Sequence, residues 1–177
     1  KKLKQRNETR LLLGPRYALL RKEFRRRPLE GKKGRPVRKI LLTFGGGDDW
    51  GATIFCLAAM QSLSEDIERI VLLSSANPRR SEILQWNQNY ANTRIILDAE
   101  ETASYMAEAD IAVTAGGMTV FELASLGIPA IIIQIADNQI LISKAWRQYG
   151  FGFDMGSLDQ LNPEKLQLKI ISLMQDA

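Results

Sequence analysis

The sequence predicts an α/β fold: a Rossmann-like, doubly wound parallel sheet of about six strands, with helices on both faces. Three observations predict it. From residue 37 onward, strand-like and helix-like segments alternate with short connections. Several strand-like runs, "AIIIQI" above all, are apolar at every position, as in a parallel sheet covered on both sides. Two glycine turns, Gly45-Gly46-Gly47 and Gly116-Gly117, each stand between an apolar run and a helical one. In such sheets that is where strands end and ligands sit.

The elements follow in order. "VRKILLTF" is a strand bounded by Pro36 and Gly45, and "GATIFCLAAMQSL" a helix. "IERIVLLS" is the next strand. "PRRSEILQWNQNY" is the next helix, with Pro78 suited to its first turn. "TRIIL" is a strand, and "EETASYMAEA" a short helix with acids at its start. "DIAVTA" is a strand, and "TVFELASLG" a helix closed by Gly127. "IPAIIIQI" is the most apolar strand, and "NQILISKAWRQYG" a helix closed by Gly150. "FGFDM" is a short last strand and "NPEKLQLKIISLMQ" the final helix. Parallel strands joined through helices imply right-handed crossovers.

Residues 1–36 fall outside the alternation. "RLLLG" reads as a lone strand, "PRYALLRKEF" as one amphipathic helix, and "RRRPLEGKKGRP" as a linker. The expected division is a basic linker or arm over 1–36, which carries a remnant of an absent amino-terminal domain or packs on the body, and a ligand-binding domain over 37–177.

Charge divides the chain the same way. Residues 1–39 hold 16 Lys/Arg against 3 Asp/Glu, while the rest holds 8 against 17, so an acidic body carries a basic arm. Two meanings of the arm are open: a solvated linker, or a module that binds nucleic acid or an anionic surface. Tyr17 and Phe24 are its only aromatics, and their spacing suits core packing, which weighs against nucleic acid.

Several function classes are excluded. With no histidine, a Ser-His-Asp triad or a zinc site within this chain is not expected. Cys56 is the one cysteine; in the apolar run "IFCLAAM" it reads as a buried thiol. No apolar stretch nears the ~18 residues of a membrane span, and the opening "KKLKQRNETR" has no apolar leader core. A cytoplasmic location is expected. There is no D-x-D motif, and "GDDW" is a poor substitute, so neither a metal nor a cofactor is expected.

The glycine turns carry the chemistry. Gly45-Gly46-Gly47 is not a Walker loop, and Gly45, Gly47 and Gly51 miss G-x-G-x-x-G spacing by one residue. A dinucleotide dehydrogenase is further disfavoured by serines in "LLSSANP", where an acid is needed. What glycine still offers is backbone N–H groups that approach an oxyanion unobstructed, near a helix start. A tight loop without a ligand explains the first turn equally. Asp48 and Asp49 suit helix capping, or a sugar contact for one of them. In the second turn, Gly116-Gly117-Met118-Thr119 opens the helix that carries Glu122. Thr119 and Glu122 have capping-box spacing, T-x-x-E, so Glu122 either caps or accepts from a ribose diol. Asn138 and Gln139 combine donors and acceptors suited to sugar hydroxyls, or cap the next helix.

Three segments in order, "LLLGPRYALLRKEF" with the basic stretch after it, "ILLTFGGGDD", and "ADIAVTAGGMTVFELASLGIPAIIIQIADNQ", carry a resemblance over nearly the whole chain. The sequence resembles the carboxyl half of the UDP-sugar hydrolases of pseudaminic acid biosynthesis and the related spore-coat polysaccharide proteins. These in turn are similar to GT-B glycosyltransferases of the MurG group. The resemblance implies a carboxyl-terminal Rossmann-like domain that holds a UDP-sugar against an amino-terminal domain. It places Gly45, Gly46, Gly47, Gly116, Gly117, Met118 and Thr119 at the diphosphate. It places Glu122 at the ribose, Leu97 and Asp98 at the uracil, and Asn138 and Gln139 at the sugar or phosphates. Gly47 and Met118 stand where the family usually has serine, which removes two hydroxyl donors. In the hydrolases the amino half supplies a histidine base, so this chain alone is expected to bind without turnover.

Overall fold

The computed structural model describes residues 10–12, 14–25, 35–88 and 92–175. Six strands, β1 (Lys39–Thr43), β2 (Glu68–Leu73), β3 (Thr93–Leu97), β4 (Ile111–Ala115), β5 (Ala130–Gln134) and β6 (Gly152–Ser157), form one sheet. Its order is β3-β2-β1-β4-β5-β6, all parallel. Six helices connect or follow them: α1 (Ala52–Ala59), α2 (Arg80–Asn87), α3 (Thr102–Glu108), α4 (Thr119–Ser125), α5 (Ile140–Gln148) and α6 (Pro163–Gln175). The doubly wound α/β reading holds. The expected ends of the α2 helix at 89–90, and the linker over 26–34, lie outside the described residues.

The pattern of apolar positions explains the layers. All five residues of β4 and all five of β5 are buried. Along β1, Ile40 and Leu42 enter one core with α1, Ile83 of α2, and Leu166 and Ile170 of α6. Leu41 points the other way, into a second core with Met106 of α3, Val120 and Leu123 of α4, and Trp146 of α5. Alternate side chains thus feed opposite faces, and both faces are covered.

The arm departs from the sequence reading. "PRYALLRKEF" is not one helix. It forms two short 3₁₀ turns, Pro15–Tyr17 and Lys22–Arg25, separated by an extended Ala18 (φ −60°, ψ 133°). Nor do residues 10–12 form a strand. The reason is tertiary: the segment crosses the α3–α4–α5 face and delivers Phe24, 1% exposed, into the second core. That burial outweighs helix propensity worth only tenths of a kcal/mol per residue. Of the two aromatics expected to pack in the core, Phe24 does so without the helix, whereas Tyr17 stays exposed along the groove beside α5.

The two edges of the sheet differ. At the amino edge, Lys39, Glu68, Arg94 and Glu108 form an ion network, and Asp110 accepts from the N–H groups of Arg38 and Lys39 at 2.9 Å each. The carboxyl edge carries the loops that sequence reasoning singled out.

Candidate functional site

The two glycine turns come together because β1 and β4 are neighbours, with Thr43 opposite Thr114 in register. The Thr114 hydroxyl also donates to the Thr43 carbonyl at 2.8 Å. This is the point where the strand order reverses: α1 and α2 lie on one face, α3 to α5 on the other, and a crevice opens between them. The crevice is a cleft of about 280 Å³. Gly45 and Gly46 of the first turn line it, with Thr119 at the end of the second and Glu122 farther along α4, while Met118 lines the apolar groove beside the arm. Ser74 after β2, Asp98 after β3, Thr102 of α3 and Arg21 of the arm complete the wall.

The first turn is free of its own acids. Asp49 is buried, and its carboxylate accepts from the N–H groups of Gly51 (3.0 Å) and Thr53 (3.1 Å) at the start of α1. Asp48 accepts from the Trp50 N–H and from Arg79, both at 2.8 Å. Asp49 serves the start of α1, the capping role expected of it, whereas Asp48 ties the turn ahead of that helix to Arg79. Gly45 has φ +94°, a conformation that favours glycine. A Cβ on Gly46 or Gly47 would meet no atom within 4 Å.

The second turn is built differently. A Cβ on Gly116 would lie 2.5 Å from Ser143 Oγ and 3.1 Å from the Gln139 carbonyl, so this glycine lets α5 approach β4. The Gly116 N–H donates to Gln139 Oε1 (3.3 Å), which also accepts from Ile135 N–H (3.0 Å). The Gly117 N–H donates to the Ala115 carbonyl at 2.8 Å. Among the described residues, the N–H groups of Gly46, Gly47, Met118 and Thr119 have no acceptor. Gln139 therefore clasps the ends of β4 and β5. Asn138 is exposed in the 3₁₀ turn Asp137–Gln139, beside a second cleft of about 620 Å³ that Asp137, Gln134 and Trp50 help to line.

Glu122 does not cap α4. That helix has no side-chain cap, and its capping-box spacing is unused. Its carboxylate, on a residue 9% exposed, instead accepts from Arg21 Nε at 3.0 Å. Asp98, with φ +47°, accepts from the Ser75 N–H at 2.9 Å and from the Ser74 hydroxyl at 3.4 Å. Those bonds, the main-chain one first, hold its carboxyl below the usual range. Leu97 is exposed at the end of the edge strand β3. Cys56 is fully buried; burial, aided by the Asp49 charge, pushes its thiol well above the usual value and makes it inert.

Sequence reasoning missed Arg21, Thr102 and Ser74. Arg21 and Thr102 meet across 81 residues of chain, and no local pattern signals such a contact. A groove of about 520 Å³ between the arm and α4–α5 is lined almost wholly by apolar residues, among them Leu12, Phe121, Leu141 and Trp146. It lacks the convergent polar groups of the crevice. Among the described residues no group of three or more His, Cys, Asp or Glu could hold a metal, and no helix is long and apolar enough to cross a membrane.

The model of the glycosyltransferase family 28 C-terminal domain matches residues 51–176. The spore coat polysaccharide biosynthesis protein SpsG of Bacillus subtilis (strain 168) is 25% identical over 159 residues, covering 89% of this chain and 47% of that protein. The uncharacterized protein MJ1062 of Methanocaldococcus jannaschii is 29% identical over 133 residues, covering 72% of this chain and 28% of its own length. The chain thus spans less than half of either relative. Among solved structures, the glycotransferase of kitacinnamycin aligns with a TM-score of 0.61 at 17% identity, over 85% of this chain and 39% of that one. Acinetobacter baumannii MurG aligns with a TM-score of 0.59 at 22% identity, over 80% of this chain and 42% of that one. At these identities the structures establish a shared fold. The matched family model, covering well over half of the sequence, establishes more: this chain belongs to the glycosyltransferase family 28 C-terminal domain family.

Proposed function

We propose that the chain is the nucleotide-sugar-binding domain of a GT-B-type enzyme, a glycosyltransferase or a UDP-sugar hydrolase, acting in surface polysaccharide or nonulosonic acid biosynthesis. The observation that supports the reading is that Gly45 and Gly46 of the first turn, Thr119 at the end of the second and Glu122 of α4 line one crevice at the strand-order reversal. In this reading the unpartnered N–H groups of Gly46, Gly47, Met118 and Thr119 bind the diphosphate. Oriented main-chain donors stabilise a leaving pyrophosphate without a metal. Gly45 shapes the first turn. Gly116, Gly117 and Gln139 hold the second in place. Glu122 accepts from the ribose diol, the main chain at Leu97 and Asp98 meets the uracil, and Asn138 faces the sugar. A separate amino-terminal domain supplies the acceptor side or the water-activating base, so this domain binds without turning over.

Calorimetric titration of the chain with UDP, UDP-N-acetylglucosamine, CMP and uridine tests the reading. UDP binding is expected, with uridine much weaker. Glu122→Ala is expected to cut UDP affinity by roughly tenfold or more, since it removes a charged hydrogen-bond acceptor. Equal affinity for UDP and uridine would sink the diphosphate role of the turns. Unchanged UDP affinity in Glu122→Ala would sink the ribose role. The nucleic-acid reading of the arm is disfavoured by the burial of Phe24 and the pairing of Arg21 with Glu122.

A further inference from the structure

We infer that Arg21 is a positioning residue for the nucleotide site: it fixes the Glu122 carboxylate for a ribose diol, and so makes the arm part of the site. The inference rests on the nucleotide-sugar reading above.

Arg21 belongs to a segment whose composition marks it as solvated linker, yet its guanidinium is held from several sides. Nε donates to Glu122 Oε1 at 3.0 Å, and Nη2 donates to Thr102 Oγ1 at 2.6 Å. Nη1 lies 3.1 Å from Glu23 Oε1, which in turn accepts from the Thr102 hydroxyl at 3.2 Å. The Phe24 ring sits against the guanidinium, 4.8 Å from centroid to Cζ, and is itself locked in the core. The group is therefore preorganised before any ligand arrives.

The arrangement suits an arginine and a diol. A guanidinium donates in two directions at once, here to α4 through Glu122 and to α3 through Thr102. A lysine ammonium is a point charge and would not hold both with the same geometry. Arg21 engages Glu122 through Oε1, and among the described residues no donor reaches Oε2. A carboxylate with one oxygen tied to a held guanidinium and one open is restricted in rotation, which favours accepting from a ribose hydroxyl through the open oxygen. Arg21 also places a positive charge beside a carboxylate in the crevice wall, which lowers the cost of leaving that carboxylate largely buried.

The test is calorimetry of the 177-residue chain and four variants with UDP, uridine and 2′-deoxy-UDP, with circular dichroism to verify folding. The variants are Arg21→Ala, Arg21→Lys, Glu122→Ala and the Arg21→Ala/Glu122→Ala pair. Arg21→Ala is expected to weaken UDP binding roughly tenfold, the effect of losing one charged hydrogen bond, and to narrow the preference for UDP over its 2′-deoxy form. Arg21→Lys is expected to recover only part of that preference. In the Glu122→Ala background, Arg21→Ala should change nothing further. Three results would overturn the inference: wild-type affinity and preference in Arg21→Ala, an equal loss in the Glu122→Ala background (direct contact of Arg21 with the ligand), or tighter binding (competition for Glu122). If the wild type itself does not prefer UDP to uridine, the nucleotide reading falls and takes this inference with it. If the wild type binds UDP and only the Arg21 variants behave as wild type, the positioning role alone falls.

Discussion

Substituting Gly116 by alanine is the sharpest structural test. The added methyl would stand 2.5 Å from Ser143 Oγ, 3.0 Å from Gln139 Cβ and 3.1 Å from the Gln139 carbonyl. Two of these atoms are fixed by the backbone of the α5 approach, so a side-chain rotation cannot relieve the crowding. Ser143 is fully buried, and its hydroxyl donates to the Gln139 carbonyl at 3.0 Å, which ties the clashing atoms to one another. Overpacking of this kind costs about 1–3 kcal/mol. For a domain of this size each kcal/mol lowers Tm by roughly 2–4 °C, so a drop of roughly 4–8 °C is expected for a mid-range cost. Gly47→Ala is the control: its Cβ meets nothing within 4 Å, and its melting temperature should stay level or rise slightly. Adding Ser143→Ala to Gly116→Ala removes the shortest contact and should recover part of the loss, so the two changes are non-additive. Thermal melts followed by circular dichroism read all four proteins. A Gly116→Ala variant that melts with the wild type would refute the close approach of α5, and with it the packing reason for this glycine.

Two further predictions concern stability away from the crevice. Phe24→Ala empties a buried aromatic site in the second core and should cost about 3–5 kcal/mol, read as a large fall in Tm; an unchanged melt would mean that the arm does not dock. At the amino edge, burial pushes the Glu108 carboxyl up, but hydrogen bonds from Arg94 and Lys39 outweigh it and hold the group below its ordinary 4.5. Its contribution is therefore present above about pH 4.5 and lost as pH falls through the folded-state value. Because the network is about a third exposed, roughly 0.2–1 kcal/mol is expected. Glu108→Gln should melt slightly below the wild type at pH 7, with the gap narrowing as pH falls through the folded-state value below 4.5 and shrinking in high salt. A gap that neither narrows on acidification nor shrinks in high salt would refute the ionic origin.

Most of the sheet was legible because its information is local. Runs such as "AIIIQI" and "DIAVTA" are apolar at both parities, which a strand buried on two faces requires, and the helices between them end at Gly127 and Gly150, both at positive φ. The strand order was not local, and it decides the site. Only the β1–β4 pairing brings turns 70 residues apart in sequence onto one crevice. The arm was misread for the same reason in reverse. Its helix-forming residues gave a local signal that a long-range contact, Phe24 in the core, overrode. At the crevice, residue type alone did not separate contact from support. For Gln139 the sequence leaves a sugar contact or a helix cap open, and its oxygen accepts from two main-chain N–H groups at the strand ends instead. For Glu122 the sequence leaves a cap or a ribose contact open; the cap is not made, and the carboxylate is held by an arginine 101 residues away.

The Gln139 clasp has a consequence for which residues this position tolerates. Both of its partners are donors, so a carboxylate would fit the same two bonds and would make them stronger. It would also set a permanent negative charge against the main chain that leads to Met118 and Thr119, whose open N–H groups are, under the proposed function, donors to the diphosphate. Asparagine would be neutral but one methylene short of bridging β4 and β5. Glutamine is the side chain that fastens the two strand ends while leaving the local field positive. Under the proposed function, the side chain that fastens the two strand ends thus also bears on how well the second turn receives an anion.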